Sequence, residues 1–111
     1  MNEFFIRENS TLARIAAWKL RGKRVAIVIG KTIHLHGASK EDFLLNTRWL
    51  RHELKHVQQF EQHGFISFIA KYVWHSLFHG YQNCCYEKEA REAEDDEALI
   101  AQYQLRDENR A

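Results

Sequence analysis

The chain has 111 residues, 45% of them hydrophobic and 13% aromatic, enough for one buried core and too apolar for a disordered segment. Its 16 Lys+Arg against 15 Asp+Glu leave a net charge of +1, without the basic excess that nucleic-acid binding requires. Proline is absent, which removes polyproline ligands, collagen-like repeats and proline-rich linkers.

Met1 to Glu8 carries two acids and no long apolar stretch, so it does not read as a secretory signal. The most apolar segment, Phe65 to Phe78, is 14 residues long and interrupted by Ser67, Lys71, His75 and Ser76. A membrane span needs roughly 20 apolar residues, so none is expected. Cys84 and Cys85 are adjacent and cannot staple distant segments, which fits a reducing, cytoplasmic setting. With no internal repeat or low-complexity linker, residues 1–111 read as a single domain.

Ser10 to Leu20 has apolar residues at helical spacing (Leu12, Ile15, Ala16, Leu20), with Ser10 or Thr11 as cap and Gly22 as terminator. Arg24 to Ile29 is a β-branched run, apolar on both faces, and predicts a buried strand. Gly30-Lys31 supplies a turn. Thr32 to His36 then alternates, Ile33 and Leu35 against Thr32, His34 and His36, as the second arm of a hairpin at a sheet edge. Ser39 with Asp42 resembles a capping box and opens a helical region that runs to His63 and Gly64. Leu50, Leu54 and Val57 form its apolar stripe. Phe65 to His79 predicts a second helix, apolar enough to lie in the core, ended by Gly80. A third spans Cys85 to Leu105. The order, helix, hairpin and three helices, is an α+β pattern.

Chemistry concentrates in His52-Glu53-Leu54-Lys55-His56. Four residues apart on a helix, His52 and His56 lie on one face, where their imidazoles can share a zinc at about 2.0–2.1 Å. Glu53 stands beside His52 around the helix, near such a metal but not aimed at it, which suits a general base acting on a zinc-activated water. A catalytic zinc usually takes three protein ligands. One known arrangement adds a histidine six residues after the second, beyond a glycine turn. Gln59 and Gln62 occupy those two positions, and His63 is one residue too late. The other arrangement brings a glutamate from a later helix, and Tyr86-Glu87-Lys88-Glu89-Ala90-Arg91 opens one 31 residues after His56.

His52-Glu53-x-x-His56 followed by Glu87-x-x-Ala90 resembles the gluzincins, the thermolysin-like class of zinc metallopeptidases. The Glu-x-x-Ala spacing is similar to that of CAAX prenyl proteases and membrane heat-shock proteases. The preceding hairpin, the small size and His56-Val57-Gln58-Gln59 look more like minimal single-domain gluzincins of prokaryotes, over residues 24 to 100. The resemblance implies a small zincin-like domain that binds one zinc through His52, His56 and Glu87 and hydrolyses peptide bonds with Glu53 as general base. It also implies a peptide or protein substrate. In the prenyl-protease-like families an Asp follows the ligand Glu by four residues and orients a ligand histidine, whereas position 91 here is Arg. Either another group takes that role, or Glu89 is the ligand. Glu87 is preferred, because the alternative sets the Arg91 guanidinium beside the metal.

Four further residues are candidates for the substrate side. His34 and His36 would line the cleft if Thr32 to His36 is the edge that pairs with peptide. Tyr81 and Tyr86 flank the glutamate's loop and could donate to a developing oxyanion. His75 and His79 repeat the four-residue spacing but lack a following acid, and Glu92 to Glu97 reads as a solvated helix face. A domain this short has little material for a second cleft wall, so no deep pocket is expected. The alternative function is a metal-binding or interaction module on the same scaffold, without turnover.

Overall fold

The sheet is organised around a strand that the sequence pattern did not announce. In the computed structural model, which describes residues 2–80 and 84–106, β1 (Asn2–Arg7) lies inside a four-stranded sheet of order β2-β3-β1-β4. The helix α1 (Thr11–Leu20) follows, then the hairpin β2 (Val25–Ile29) and β3 (Thr32–His36). Three longer or shorter helices come next: α2 (Lys40–Leu45), α3 (Thr47–His63) and α4 (Phe65–His79). After α5 (Cys85–Ala93) and a 3₁₀ turn at Ile100–Gln102, the chain returns as β4 (Tyr103–Arg106). The architecture is α+β, as expected.

β1 runs parallel to β3 and to β4, while β2 and β3 are antiparallel with Ile27 opposite His34. Thr32–His36 is therefore an interior strand and not a sheet edge. Among the described residues the edge on that side is β2, with only β3 as its neighbour. The strand's alternation has a different cause: Ile33 and Leu35 face α3, and His34 faces α1. Ala13 and Ala17 of α1 are buried on that second face, where small side chains let the helix approach the sheet. At the end of β3 the chain passes close to Lys23, and Gly37 sits at φ +81 where a Cβ would lie 1.9 Å from the Lys23 carbonyl oxygen. Only glycine fits there.

The main core joins Phe4, Ile33 and Leu35 of the sheet to Phe43 and to Leu50, Leu54 and Val57 of α3, with Leu99 and Tyr103 closing it. The expected stripe of α3 is thus fully used. The helical region after Ser39 is broken at Asn46 (φ −89, ψ 85), whose side chain accepts from the Trp49 N–H and caps α3. The break lets α2 turn Phe43 into the core.

Two expectations for the C-terminal half are corrected. α5 stops at Ala93, not at Leu105. Glu94, Asp95, Asp96 and Glu97 follow in a row, and acids at a helix C-terminus oppose its dipole and repel one another. Beyond them Leu99 plugs the core and β4 pairs with β1. The second correction concerns α4, which is not a core helix: Phe68 is its one buried residue. Phe68 joins Phe60, Cys84 and Tyr86 in a smaller cluster under the helix, with Tyr72 packed against it, while Ile66, Val73, Trp74, Leu77 and Phe78 are exposed. No described helix is long and apolar enough to cross a membrane.

Candidate metal centre

α3 carries two of the centre's groups because its turn sets His52 and His56 on one side, above the apolar stripe that fixes the helix to the sheet. α5 brings the third. Its first-turn Glu87 is buried and meets both histidines: Oε1 lies 3.3 Å from His52 Nε2, and Oε2 lies 3.3 Å from His56 Nε2. One ligand atom from each of the three residues can be chosen with all of them within 4.8 Å of one another. Glu89, two positions on, turns away and accepts from Gln59 Nε2 at 2.7 Å. Small Ala90 is buried between the helices, which brings Glu87 close to α3.

The tautomer of each histidine follows from its other neighbour. His52 Nδ1 faces the Glu94 carboxylate at 2.9 Å, an acceptor, so Nδ1 carries the proton. His56 Nδ1 faces Gln59 Oε1 at 2.9 Å. Gln59 is oriented by its own amide, which donates to the Tyr86 carbonyl (3.1 Å) and to Glu89, so its oxygen must be the atom facing His56. Nε2 of each ring also faces an acceptor, Glu87, to which it donates when the ring is protonated; a neutral ring with its proton on Nδ1 would offer the Nε2 lone pair to a metal. The acid beside His52 Nδ1 is Glu94 and not a residue at position 91, and Arg48 also holds it at 3.1 Å. Sequence reasoning missed Glu94 because it sought a partner one helical turn after Glu87, while the useful position lies two turns on at the end of α5.

The electrostatics are those of charges clustered with little water. Burial opposes protonation of His52, but Glu87, Glu53 and Glu94 outweigh it and hold its pKa at about 9. His56 is raised by the same contest between burial and Glu87 with Glu53. For Glu87, burial is overcome by hydrogen bonds from His52, His56 and Tyr72, which keep it well below the usual carboxylate range. Burial pushes Glu53 up to about 7 against the pull of the His56 and His52 charges.

The donor set fits zinc. Ligands at about 2.0–2.1 Å in a tetrahedron lie about 3.3–3.4 Å apart; each Nε2 lies 3.3 Å from its own oxygen of Glu87, and the three residues can offer one atom apiece within 4.8 Å of one another. Two imidazole nitrogens and one carboxylate would supply three of the four ligands a zinc takes, and all three residues line one pocket.

The pocket, about 370 Å³, has the second wall for which a domain this short was expected to have little material. It lies between the edge strand β2 (Ala26 to Ile29) and α4 (Phe68, Ile69, Tyr72, Val73), with Phe60 between them and His52, Glu53, His56 and Glu87 at its base. Tyr72, read from the sequence only as an apolar position of this helix, lines it and donates its hydroxyl to Glu87 Oε2.

The other candidates lie elsewhere. His34 is buried with Nδ1 2.8 Å from Ser10 Oγ, on the α1 side of the sheet, and His36 shares that face. Neither lines the pocket, because β3 is interior. Tyr86 packs edge-on to Phe68 and beside Tyr72 and does not line the pocket either. Tyr81 lies outside the described residues. His63 stacks on Phe68, away from the centre as expected, and His75 stacks with His79 without an acid completing a group of ligands among the described residues.

No protein-family model, curated protein or solved structure matches this chain.

Proposed function

We propose that the protein is a zinc-dependent peptide hydrolase of the gluzincin type, with His52, His56 and Glu87 as the zinc ligands. The observation that supports this most is the pair of Nε2 atoms facing one buried carboxylate while both Nδ1 atoms are tied to acceptors. Outer partners of this kind orient ligand histidines, and losing one typically costs about 10–100-fold in metal affinity.

Zinc held there supplies Lewis acidity, lowering the pKa of water and polarising a carbonyl. Glu53, one position along from His52 and at the pocket base, takes the proton that the water gives up and passes it to the leaving amine. Tyr72 positions Glu87 by donating to its second oxygen. The outer backbone groups of β2 take an extended peptide as an added strand, and the apolar walls from β2 and α4 receive a substrate side chain beside the scissile bond. The Cys84 and Cys85 thiols are free, in keeping with a reducing, cytoplasmic setting.

Metal analysis of protein purified without chelator should find about one zinc per chain. The loaded protein should cleave a quenched peptide library, and Glu53→Gln should lower turnover by roughly 10²–10⁴-fold while zinc content stays the same. Zinc bound without cleavage by the unaltered chain would reduce the protein to a metal-binding module. Failure to take up zinc at all would end the reading.

A further inference from the structure

We propose that α4 joins two copies of this chain, antiparallel about a two-fold axis, through a seam made of Ile66, Ala70, Val73 and Leu77. Their spacing of four, three and four residues is that of a coiled-coil seam. At 3.6 residues per turn the four directions fall within about 60° of one another and point opposite Phe68, the residue that fixes α4 to the protein. The seam therefore looks straight out. Ile66 is 80% exposed and Leu77 76%, and Ile69 and Trp74 extend the apolar surface on the flanks.

The size of this face argues against ordinary solvent exposure. Taking about 150–250 Å² for each aromatic side chain and somewhat less for each aliphatic one, the exposed apolar part of α4 amounts to roughly 700 Å². Monomers rarely leave more than about 300–600 Å² in one patch, whereas one side of a standard interface covers about 800 Å².

A second copy is the occupant that the seam itself selects. A two-fold between residues 71 and 72 sets Ile66 against Leu77 of the partner copy, and Ala70 against Val73 of the partner copy. Every seam residue then meets a seam residue, as an isologous interface demands, and Ala70 at the centre lets the helices approach. Lys71 is the only Lys, Arg, Asp or Glu in α4 and points away from the seam, so two copies meet without like-charge repulsion. An anionic lipid surface would call for a basic band along the helix, which α4 lacks. Ile69 and Val73 also line the pocket, so the second copy would lie along its mouth and lengthen the apolar wall. The pairing does not depend on zinc or on turnover.

Sedimentation of the full chain over a dilution series should find a species of twice the 13.2 kDa chain mass. Ile66→Lys and Leu77→Glu, both at solvent-exposed positions of the single chain, should keep the far-UV circular dichroism and each weaken the dimer at least about 100-fold. An equimolar mixture of the two variants should regain a dimer, because only the antiparallel register brings the substituted positions together. An unaltered chain that stays monomeric at millimolar concentration would overturn the proposal. So would a dimer indifferent to both substitutions, or a mixture that stays monomeric. A monomeric chain that binds phosphatidylcholine vesicles would assign the face to lipid, again overturning it.

Discussion

α3 and α4 are consecutive helices of 17 and 15 residues joined through Gly64 alone, and they treat apolar surface in opposite ways. α3 is rich in charge, yet it buries Leu50, Leu54, Val57 and Phe60 together with Glu53, His56 and Gln59. α4 is the more apolar of the two and buries Phe68. The difference lies in their neighbours. α3 is packed by β2, α2, α4 and α5, while α4 rests chiefly on α3. Composition therefore says how much a helix could bury, and the number of layers around it says how much it does.

The largest separation between the two should appear at the metal centre, which α3 builds with α5. Glu87→Ala should weaken zinc binding by roughly 100-fold or more, and Glu89→Ala, which touches Gln59 instead, should leave it within a few-fold. A competition titration against a zinc chelator reads both. The reverse pattern would move the third ligand two residues along.

The second test compares leucines. Leu54→Ala in α3, at a fully buried position, should cost about 2–5 kcal/mol in urea denaturation. Leu77→Ala in α4 should change the stability of the monomer by less than about 0.5 kcal/mol, since it empties no cavity. Equal losses would mean that α4 is covered in solution more deeply than its exposure indicates.

A smaller, graded effect follows from the charges on α3. In the metal-free protein His52 titrates at about 9 against 6.5 unfolded, and Glu53 at about 7 against 4.5. Both groups hold protons more tightly in the folded state, so their contribution to stability is lost as pH rises. For His52 it is complete below 6.5 and gone above about 9; for Glu53 it fades between 4.5 and about 7. The melting temperature of chelator-treated protein should therefore fall from pH 6 to pH 9.5. Zinc affinity should rise over the same range, because the ligand histidines must be neutral. A chelated protein that becomes more stable with alkali would contradict the ion-paired centre.

The smallest effect concerns how each helix begins. α3 is capped by the Asn46 side chain, whereas α4 starts at Gly64 without a side-chain cap. Asn46→Ala should cost about 1 kcal/mol, and Gly64→Ala should act only through the strain of a positive φ (82), with no lost cap bond. Thermal denaturation of both variants separates the two.

Local pattern was a sound guide wherever a segment's own residues decide its structure. The 3.6-residue spacing placed His52 and His56 on one face and Leu50, Leu54 and Val57 on the other. Ser39, Gly30, Gly64 and Gly80 punctuated the chain where expected, because their capping or positive φ is set by the residue itself. β1 was not legible, since Asn2–Arg7 acquires its strand character from pairing with β3 and β4 on either side. The histidines of β3 were misplaced for the same reason: alternation reveals that two faces differ, but not what covers each.

What the amino-acid sequence determined by itself was the motif, the helix that carries it and the α+β order, all fixed by periodicity and by the residue types at turns. Tertiary structure alone decided which acid orients His52, which strand borders the pocket and which helix stays uncovered. Glu94, β2 and the outer face of α4 owe their roles to neighbours far away in the chain. A side chain's partner depends on where the backbone returns, and that is set by packing of the whole core, not by any window of residues.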